Sequence, residues 1–272
     1  MKKDHKIIIS VAPVAAASSL IPEEVSEDIK KAAQAGASMC HLHCKTTQGI
    51  LTSDITNLSA AFTQIRLKSN IILQASTGGI SEMNMEERCR PLFCEGVESA
   101  SLNGGSTNLG EAIYKNSFED IRYCADLCYE KNILPEIEVF DIGMIHNIQY
   151  LKQKCRFRDP LLFNLVFGHK GGMQPTIKDL TAFCQFLPQN AVFGVTHFGR
   201  TDWKFLAAAI AMGAAIIRIG FEDSAYLSEN EEAKTNAQLV KKLVTLAEAM
   251  EVGIATPEEA REILQLKKEN NK

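Results

Sequence analysis

Leu162-Phe163-Asn164-Leu165-Val166-Phe167, then Gly168-His169-Lys170-Gly171-Gly172, then an amphipathic stretch from Ile177 to Phe186: this segment holds the unit that decides the fold. The first six residues are apolar at all but one position, so a strand there must be covered on both faces. That marks a parallel strand lying between helices rather than a half-solvated antiparallel one. Working outward, the same unit recurs. Strands are predicted at Lys6–Val11, Met39–His43, Asn70–Ser76, Ser99–Asn103, Glu136–Phe140, Leu162–Phe167, Val192–Phe198 and Ala215–Phe221. Amphipathic helices are predicted at Glu23–Ala35, Asp54–Lys68, Met85–Glu95, Phe118–Lys131, Gly143–Lys152, Ile177–Phe186, Thr201–Met212 and Asn236–Met250. Pro22 and Pro175 stand where helices begin and Gly36 just past an end. Thr256-Pro257-Glu258-Glu259 opens a last short helix with a hydroxyl cap, a proline and two acids aligned with the helix dipole.

Strict alternation of eight strands with eight helices predicts an α/β fold, a (β/α)8 TIM barrel forming one domain over residues 1–272, with a short C-terminal helix. The 272 residues divided by eight give 34 per unit, room for a strand, a helix and two short loops. A doubly wound open sheet also alternates, but it would carry a glycine-rich phosphate turn after the first strand, where this chain has Val11-Ala12-Pro13-Val14. No Pro-, Gly- or Ser-rich linker divides the sequence, and the charged tail Lys267–Lys272 is expected to fray.

The composition is that of a globular protein, with 46% hydrophobic and 23% charged residues. A net charge of −4, from 29 basic and 33 acidic residues, points to no nucleic-acid or membrane-surface partner. Ile7 to Ser19, with Ala15-Ala16-Ala17, superficially resembles the apolar core and cleavage site of a signal peptide. Ile7-Ile8-Ile9 reads better as a buried β-branched strand entering an Ala/Ser loop. No run approaches the roughly 20 apolar residues of a membrane span, so a cytoplasmic location is expected. Eight cysteines stand at 40, 44, 89, 94, 124, 128, 155 and 184 without a Cys-x-x-Cys pair. A chain this long needs no disulfide staples, and Cys124 and Cys128 share a helix face as small core hydrophobes.

Functional groups of such a barrel gather at the C-terminal ends of the strands. The second strand ends Cys40-His41-Leu42-His43, and residues two apart share a face, so both imidazoles point to the mouth while Leu42 points to the helices. A His-x-His pair presents two nitrogen ligands to one metal. The eighth strand ends Arg218-Ile219-Gly220-Phe221-Glu222-Asp223 and, like the second, flanks the first. Either Glu222 or Asp223 supplies a carboxylate ligand, leaving the other for acid–base work. Zinc fits two histidines and a carboxylate best, with manganese, iron and cobalt as alternatives. Arg218 points inward with Gly220 and Glu222 and is placed to pair with the two acids.

The third strand ends Gln74-Ala75-Ser76-Thr77-Gly78-Gly79, where Gln74 and Ser76 share a face and the glycines allow close approach of a ligand. The fourth gives Ser99, Ser101 and Asn103 on one face, before Gly104-Gly105-Ser106. The fifth puts Glu136, Glu138 and Phe140 together, and an inward Glu138 needs a cation, an amine, a hydroxyl or a basic side chain. His146 and His169 are less specific, the latter in a loop able to reach a phosphate or a substrate tail; His197 ends the seventh strand and His5 is a surface residue.

His41-Leu42-His43, Ser76-Thr77-Gly78-Gly79, Ser101-Leu102-Asn103-Gly104-Gly105-Ser106, Glu136-Ile137-Glu138-Val139-Phe140-Asp141, Arg218 to Asp223 and Ala255-Thr256-Pro257 together resemble the β-keto acid cleavage enzyme family. The resemblance runs in order along nearly the whole chain. It implies a zinc-dependent barrel, a homo-oligomer (a tetramer in the family), and an acyltransferase condensing a β-keto acid with acetyl-CoA to give acetoacetate and a new acyl-CoA. Carried over, His41, His43 and Glu222 bind zinc. Asp223 is the general base, with Arg218 and Ser76 supporting it, and Thr77, Gly78, Ser101, Asn103 and Glu138 bind the keto acid. The chain departs from the family after His43, where Cys44-Lys45-Thr46-Thr47 replaces an aliphatic residue, Arg and Asp, and in the Ala-rich loop after the first strand, which lacks an acid. Lysine does not reproduce a bidentate arginine contact. Two other functions compete: a zinc-dependent amidohydrolase-like enzyme, which would carry His-x-His on the first strand, and a non-catalytic metal- or metabolite-binding family member.

Overall fold

The computed structural model of the chain describes residues 5–80 and 82–266; the tail expected to fray lies outside them. Eight parallel strands run in chain order: β1 (Lys6–Val11), β2 (Met39–Leu42), β3 (Ile72–Ala75), β4 (Val97–Asn103), β5 (Leu134–Val139), β6 (Leu162–Phe167), β7 (Val192–His197) and β8 (Ile216–Ile219). β8 pairs with β1, Ser10 facing Arg218 and Val11 facing Ile219, and this closes the ring into the expected barrel. The helices on its outside are α1 (Pro22–Gln34), α2 (Thr56–Lys68), α3 (Met85–Arg88), α4 (Phe118–Glu130), α5 (Ile142–Leu151), α6 (Ile177–Phe186), α7 (Lys204–Ala211) and α8 (Asn236–Ala249). A further helix, α9 (Pro257–Ile263), follows a two-residue strand, Gly253–Ile254, that pairs with the start of β1.

Side chains of a strand alternate between faces, and here the alternation sorts the chain into two cores. Ile7, Ile9, Val11, Cys40, Leu42, Leu73, Ile137 and Phe163 face outward and are buried under the helices. Ile8, Met39, Ile72, Leu134, Leu162 and Ile216 face inward and meet Ala255, Ala260, Leu264 and Leu266 from the C-terminal segment, which floors the barrel. Each large apolar side chain so buried contributes about 1.5–3 kcal/mol. One step of two residues up the same strands, the inward positions become Ser10, His41, Gln74, Glu136, Asn164 and Arg218, all buried. The interior thus changes from hydrocarbon to polar within one layer, and that change fixes the depth of the site.

Several helices start where the sequence places a cap. Ser117 and Thr256 form capping boxes with Asp120 and Glu259, Asn84 does so with Glu87, and Asp141 accepts from the Met144 amide. Two expectations are corrected. Met85–Glu95 is not one helix: Pro91 lacks an amide hydrogen, so α3 gives way to a 3-10 turn at Arg90–Phe93. β8 stops at Ile219 instead of reaching Phe221, because Gly220 adopts φ +139° and turns the chain. Two hairpins absent from the sequence reading stand among the loops: Thr107–Leu109 with Ala112–Tyr114, and Tyr226–Ser228 with Glu231–Glu232.

Candidate metal centre and reaction pocket

At the C-terminal end of the barrel, His41, His43 and Glu222 bring one ligand atom each to within 4.8 Å of one another. Their convergence follows from the layers: His41 lies one inward step above Met39, and His43 one step higher, just past the end of β2. His41 Nδ1 lies 2.6 Å from Gln74 Oε1, an acceptor, so that nitrogen carries the hydrogen and Nε2 keeps its lone pair, 3.9 Å from Glu222 Oε1. His43 Nε2 lies 3.2 Å from the same oxygen, and its buried Nδ1 has no protein partner. Gln74 Nε2 donates to Glu136 Oε2 at 2.6 Å and to Ser99 Oγ at 3.1 Å, which locks the amide against rotation. Burial first, and then the charge of Arg218, push the His41 pKa down to about 3, so its imidazole is neutral at pH 7. Two imidazole nitrogens and a carboxylate, with a supporting shell beneath, form a donor set that could hold a divalent cation.

Beside this set lies a cluster of three carboxylates on one guanidinium. Arg218 Nε and Nη2 donate to the two oxygens of Asp223, each at 3.0 Å. Nη2 also reaches Glu222 Oε1, and Nη1 lies 3.4 Å from Glu138 Oε1. Burial opposes the arginine's charge, but Asp223, Glu222 and Glu138 outweigh it and hold its pKa above the ordinary value. Burial also raises Asp223 to about 6 and Glu138 to about 7, against the pull of Arg218. For Glu222 burial is overcome by the imidazole of His43 and by Arg218, and its carboxyl is held well below the usual range.

Glu222 and Asp223 both face the cluster. An extended strand would send adjacent side chains to opposite faces, so the expectation of an inward strand through Glu222 is replaced by a turn. Gly220 makes the turn, the Glu222 amide donates to Ala12 O at 3.1 Å, and the Phe221 amide donates to Asn236 Oδ1 at 3.0 Å. A Cβ on Gly220 would overlap the Ala12 carbonyl. Asn236, fully buried at the start of α8, donates onward to Pro13 O and Asp28 Oδ2 and so ties the turn to the loop after β1.

A cavity of about 290 Å³ opens above these groups. Ser76, Gly78, Asn103 and Glu138 line it, and both amide atoms of the buried Asn103 lack protein partners. Ser76 Oγ accepts from the Gly78 amide at 3.0 Å and lies 3.4 Å from Ser101 Oγ. Ser101 and Thr77 lie one step back. The Thr77 hydroxyl donates to Ser101 O at 2.7 Å, and its amide donates to Ser101 Oγ at 3.1 Å, joining β3 to β4. Gly78 lacks a side chain for a visible reason: a Cβ would stand 3.0 Å from both His43 Cε1 and Ser76 Oγ.

Residues 6–266 match the family model described as beta-keto acid cleavage enzyme. The chain belongs to that family. It is 37% identical over 249 residues to the 3-keto-5-aminohexanoate cleavage enzyme of Fusobacterium nucleatum subsp. nucleatum, covering 90% of each chain. It is 27% identical over 304 residues to the 3,5-dioxohexanoate:acetyl-CoA acetone transferase of Paraburkholderia graminis, covering 98% of each. Among solved structures, apo ObcA superposes with a TM-score of 0.75 at 16% identity, over 90% of this chain and 65% of that one. That last likeness concerns the fold.

Within this family member, the lining residues that sequence reasoning missed come mostly from loops, with Val166 of β6 and Thr196 of β7 the strand exceptions. Ala16, Leu51, Leu109 and Tyr114 line the cavity, the last two from the first hairpin. Tyr114 is seated by Arg88, whose Nη2 donates to its hydroxyl at 2.6 Å. Lys45, where the resemblance led to an expected arginine, is buried and donates to Ala15 O at 2.8 Å and Ala16 O at 2.9 Å. It therefore braces the loop after β1 instead of presenting a fork to an anion. His169 does line the cavity, stacked on Phe198, whereas His146 lies on the surface of α5 and His5 is exposed. Cys44 points to the helices and all eight cysteines are free. No described helix is long and apolar enough to cross a membrane.

Proposed function

We propose that this protein is a zinc-dependent acyltransferase that exchanges acyl groups between a β-keto acid and acetyl-CoA. In the reaction R–CO–CH2–COO⁻ plus acetyl-CoA gives acetoacetate plus R–CO–CoA. The bond between the methylene and the R–CO carbon and the acetyl C–S bond break, a bond from that methylene to the acetyl carbonyl carbon forms, and R–CO passes to the freed CoA sulfur. No water, oxidant or net proton is consumed. The observation that carries the reading is the convergence of His41, His43 and Glu222 directly beside the Arg218–Asp223 pair in a chain of this family.

The donor set fits zinc: Nε2 of His41 is left free by Gln74, His43 holds a buried nitrogen without a partner, and Glu222 is ionised. A zinc ion held there supplies Lewis-acid charge to neighbouring substrate oxygens. Asp223 is the general base. Its pKa, raised by burial to about 6, leaves it ionised at neutral pH yet basic enough to take a proton from the methylene between ketone and carboxylate and to return it to the acetoacetate enolate released on cleavage. Arg218 grips both Asp223 oxygens and fixes their direction. Ser76 and Asn103 supply hydrogen bonds to the keto acid, Gly78 leaves space for it, and Thr77 and Ser101 set the β3–β4 edge on which it rests. Glu138, raised to about 7, offers either a donor or an acceptor to the substrate at working pH.

The test pairs metal with turnover. Purified protein should carry stoichiometric zinc by elemental analysis, and His41→Ala and Glu222→Ala should lose it. Asp223→Asn should retain zinc and lose acetoacetate formation. Full zinc in both ligand variants, or unchanged turnover in Asp223→Asn, would overturn the assignment.

A further inference from the structure

Relatives of this chain are named for keto acids with different tails, one carrying an amine and one a further ketone, so family membership leaves the tail open. The cavity itself is informative. Its charged side chains are engaged by partners within the protein. Arg218 serves Asp223, Glu222 and Glu138. Lys45 donates two of its three ammonium hydrogens to backbone carbonyls. Apart from the hydroxyls of Ser76, Tyr114 and Thr196 and the amide of Asn103, the remaining wall is hydrocarbon and aromatic ring: Ala16, Leu51, Leu109, Phe140, Val166 and Phe198. His169 completes it as a flat ring, stacked on Phe198 with centroids 4.0 Å apart and set edge-on to Phe140 at 5.6 Å.

We infer that the β-keto acid used here has a short, uncharged, apolar tail that lies against this wall; the inference rests on the acyl-exchange reading above. A cationic tail would have Glu138 as its carboxylate, but that group already lies 3.4 Å from the Arg218 guanidinium. An anionic tail would find the lining cations, Arg218 and Lys45, already engaged by carboxylates and backbone carbonyls. Burying a charge against apolar side chains without a partner is costly, whereas an alkyl tail gains from the same contact. At about 290 Å³ the cavity stands at the small end of ligand pockets, which suits a tail of a few carbons.

The experiment uses the full chain loaded with zinc, fixed acetyl-CoA, and three β-keto acids: 3-oxohexanoate, 5-amino-3-oxohexanoate and 3-oxoadipate. Acetoacetate formation is read as kcat/KM. The alkyl acid should exceed each charged acid by at least about tenfold, the usual range for one pocket contact. Equal or better use of the amine or the diacid overturns the inference. Acetoacetate from none of the three refutes the acyl-exchange reading and this inference with it. Calorimetry with the unreactive 3-hydroxy acids of the same tails should give the same order of affinity. Leu109→Asp, on the hairpin and outside the barrel strands, should shift the alkyl-to-amine ratio at least about fivefold toward the amine by placing a carboxylate on the wall. An unchanged ratio would remove the wall from tail selection.

Discussion

Gln74→Met tests the support beneath the metal ligands. Methionine matches glutamine in length but has no amide, and position 74 is 1% exposed, so the change removes hydrogen bonds with little change of volume. Three are lost: His41 Nδ1 to Gln74 Oε1 at 2.6 Å, Gln74 Nε2 to Glu136 Oε2 at 2.6 Å, and Gln74 Nε2 to Ser99 Oγ at 3.1 Å. Without the acceptor on Nδ1, nothing holds the His41 lone pair toward Glu222. Loss of such a partner costs about 10- to 100-fold in metal affinity, which is about 1.4–2.7 kcal/mol. Separately, Glu136 is left buried without its donor, at a cost of about 1–3 kcal/mol in fold stability. Zinc affinity is measured by competition with a chelator, and stability by urea unfolding of the metal-free protein. Both should fall. Gln74→Glu separates the two effects: it keeps an acceptor for His41 but sets a second carboxylate against Glu136, so metal affinity should survive while stability falls further. Zinc affinity in Gln74→Met within about twofold of the parent would refute the argument that Gln74 aims the ligand.

Three further outcomes follow from other parts of the structure. Gly220→Ala should lower stability by about 3 kcal/mol or more, combining left-handed backbone strain with the overlap on Ala12 O, and should also weaken zinc binding because the turn carries Glu222; a urea midpoint unchanged from the parent would contradict it. Asn236→Leu should be destabilising by about 2–4 kcal/mol, since Phe221 N, Pro13 O and Asp28 each lose a partner at a fully buried position, and thermal unfolding measures this. Burial, followed by the charge of Arg200, lowers the His197 pKa to about 4, so the folded protein favours the neutral ring. Its contribution to stability is complete above pH 6.5 and is lost as pH falls from there toward 4, by about 1 kcal/mol after solvent screening; urea midpoints at pH 7 and pH 5 should therefore differ less in His197→Gln than in the parent.

What the sequence made legible was whatever obeys a period. The inward positions of β2, β3, β5 and β8 could be counted in twos, and so His41, His43, Glu138 and Arg218 could be placed at the mouth before any coordinates. The choice between Glu222 and Asp223 could not be made by counting, because Gly220 ends the strand and turns both acids inward. Ala16, Leu51 and Leu109 went unseen for a related reason: a loop residue faces inward because of contacts made elsewhere in the chain, such as Arg88 seating Tyr114. The consequence of Lys45 was likewise hidden, since its partners are backbone carbonyls whose direction no residue type announces. The break at Pro91 was readable, but amphipathicity on both sides masked it.

The closing of β8 on β1 has a consequence for how the protein matures. His41 and Glu222 are separated by 181 positions, from 41 to 222, and they meet only when the last strand docks on the first. A chain folded through its first seven strands would hold both imidazoles and lack the carboxylate, so it would bind an ion weakly. The floor is also supplied late, by Leu264 and its neighbours from the end of the described chain. Metal affinity, read as proposed above, would therefore report ring closure, and an ion on His41, His43 and Glu222 would in turn hold the seam shut.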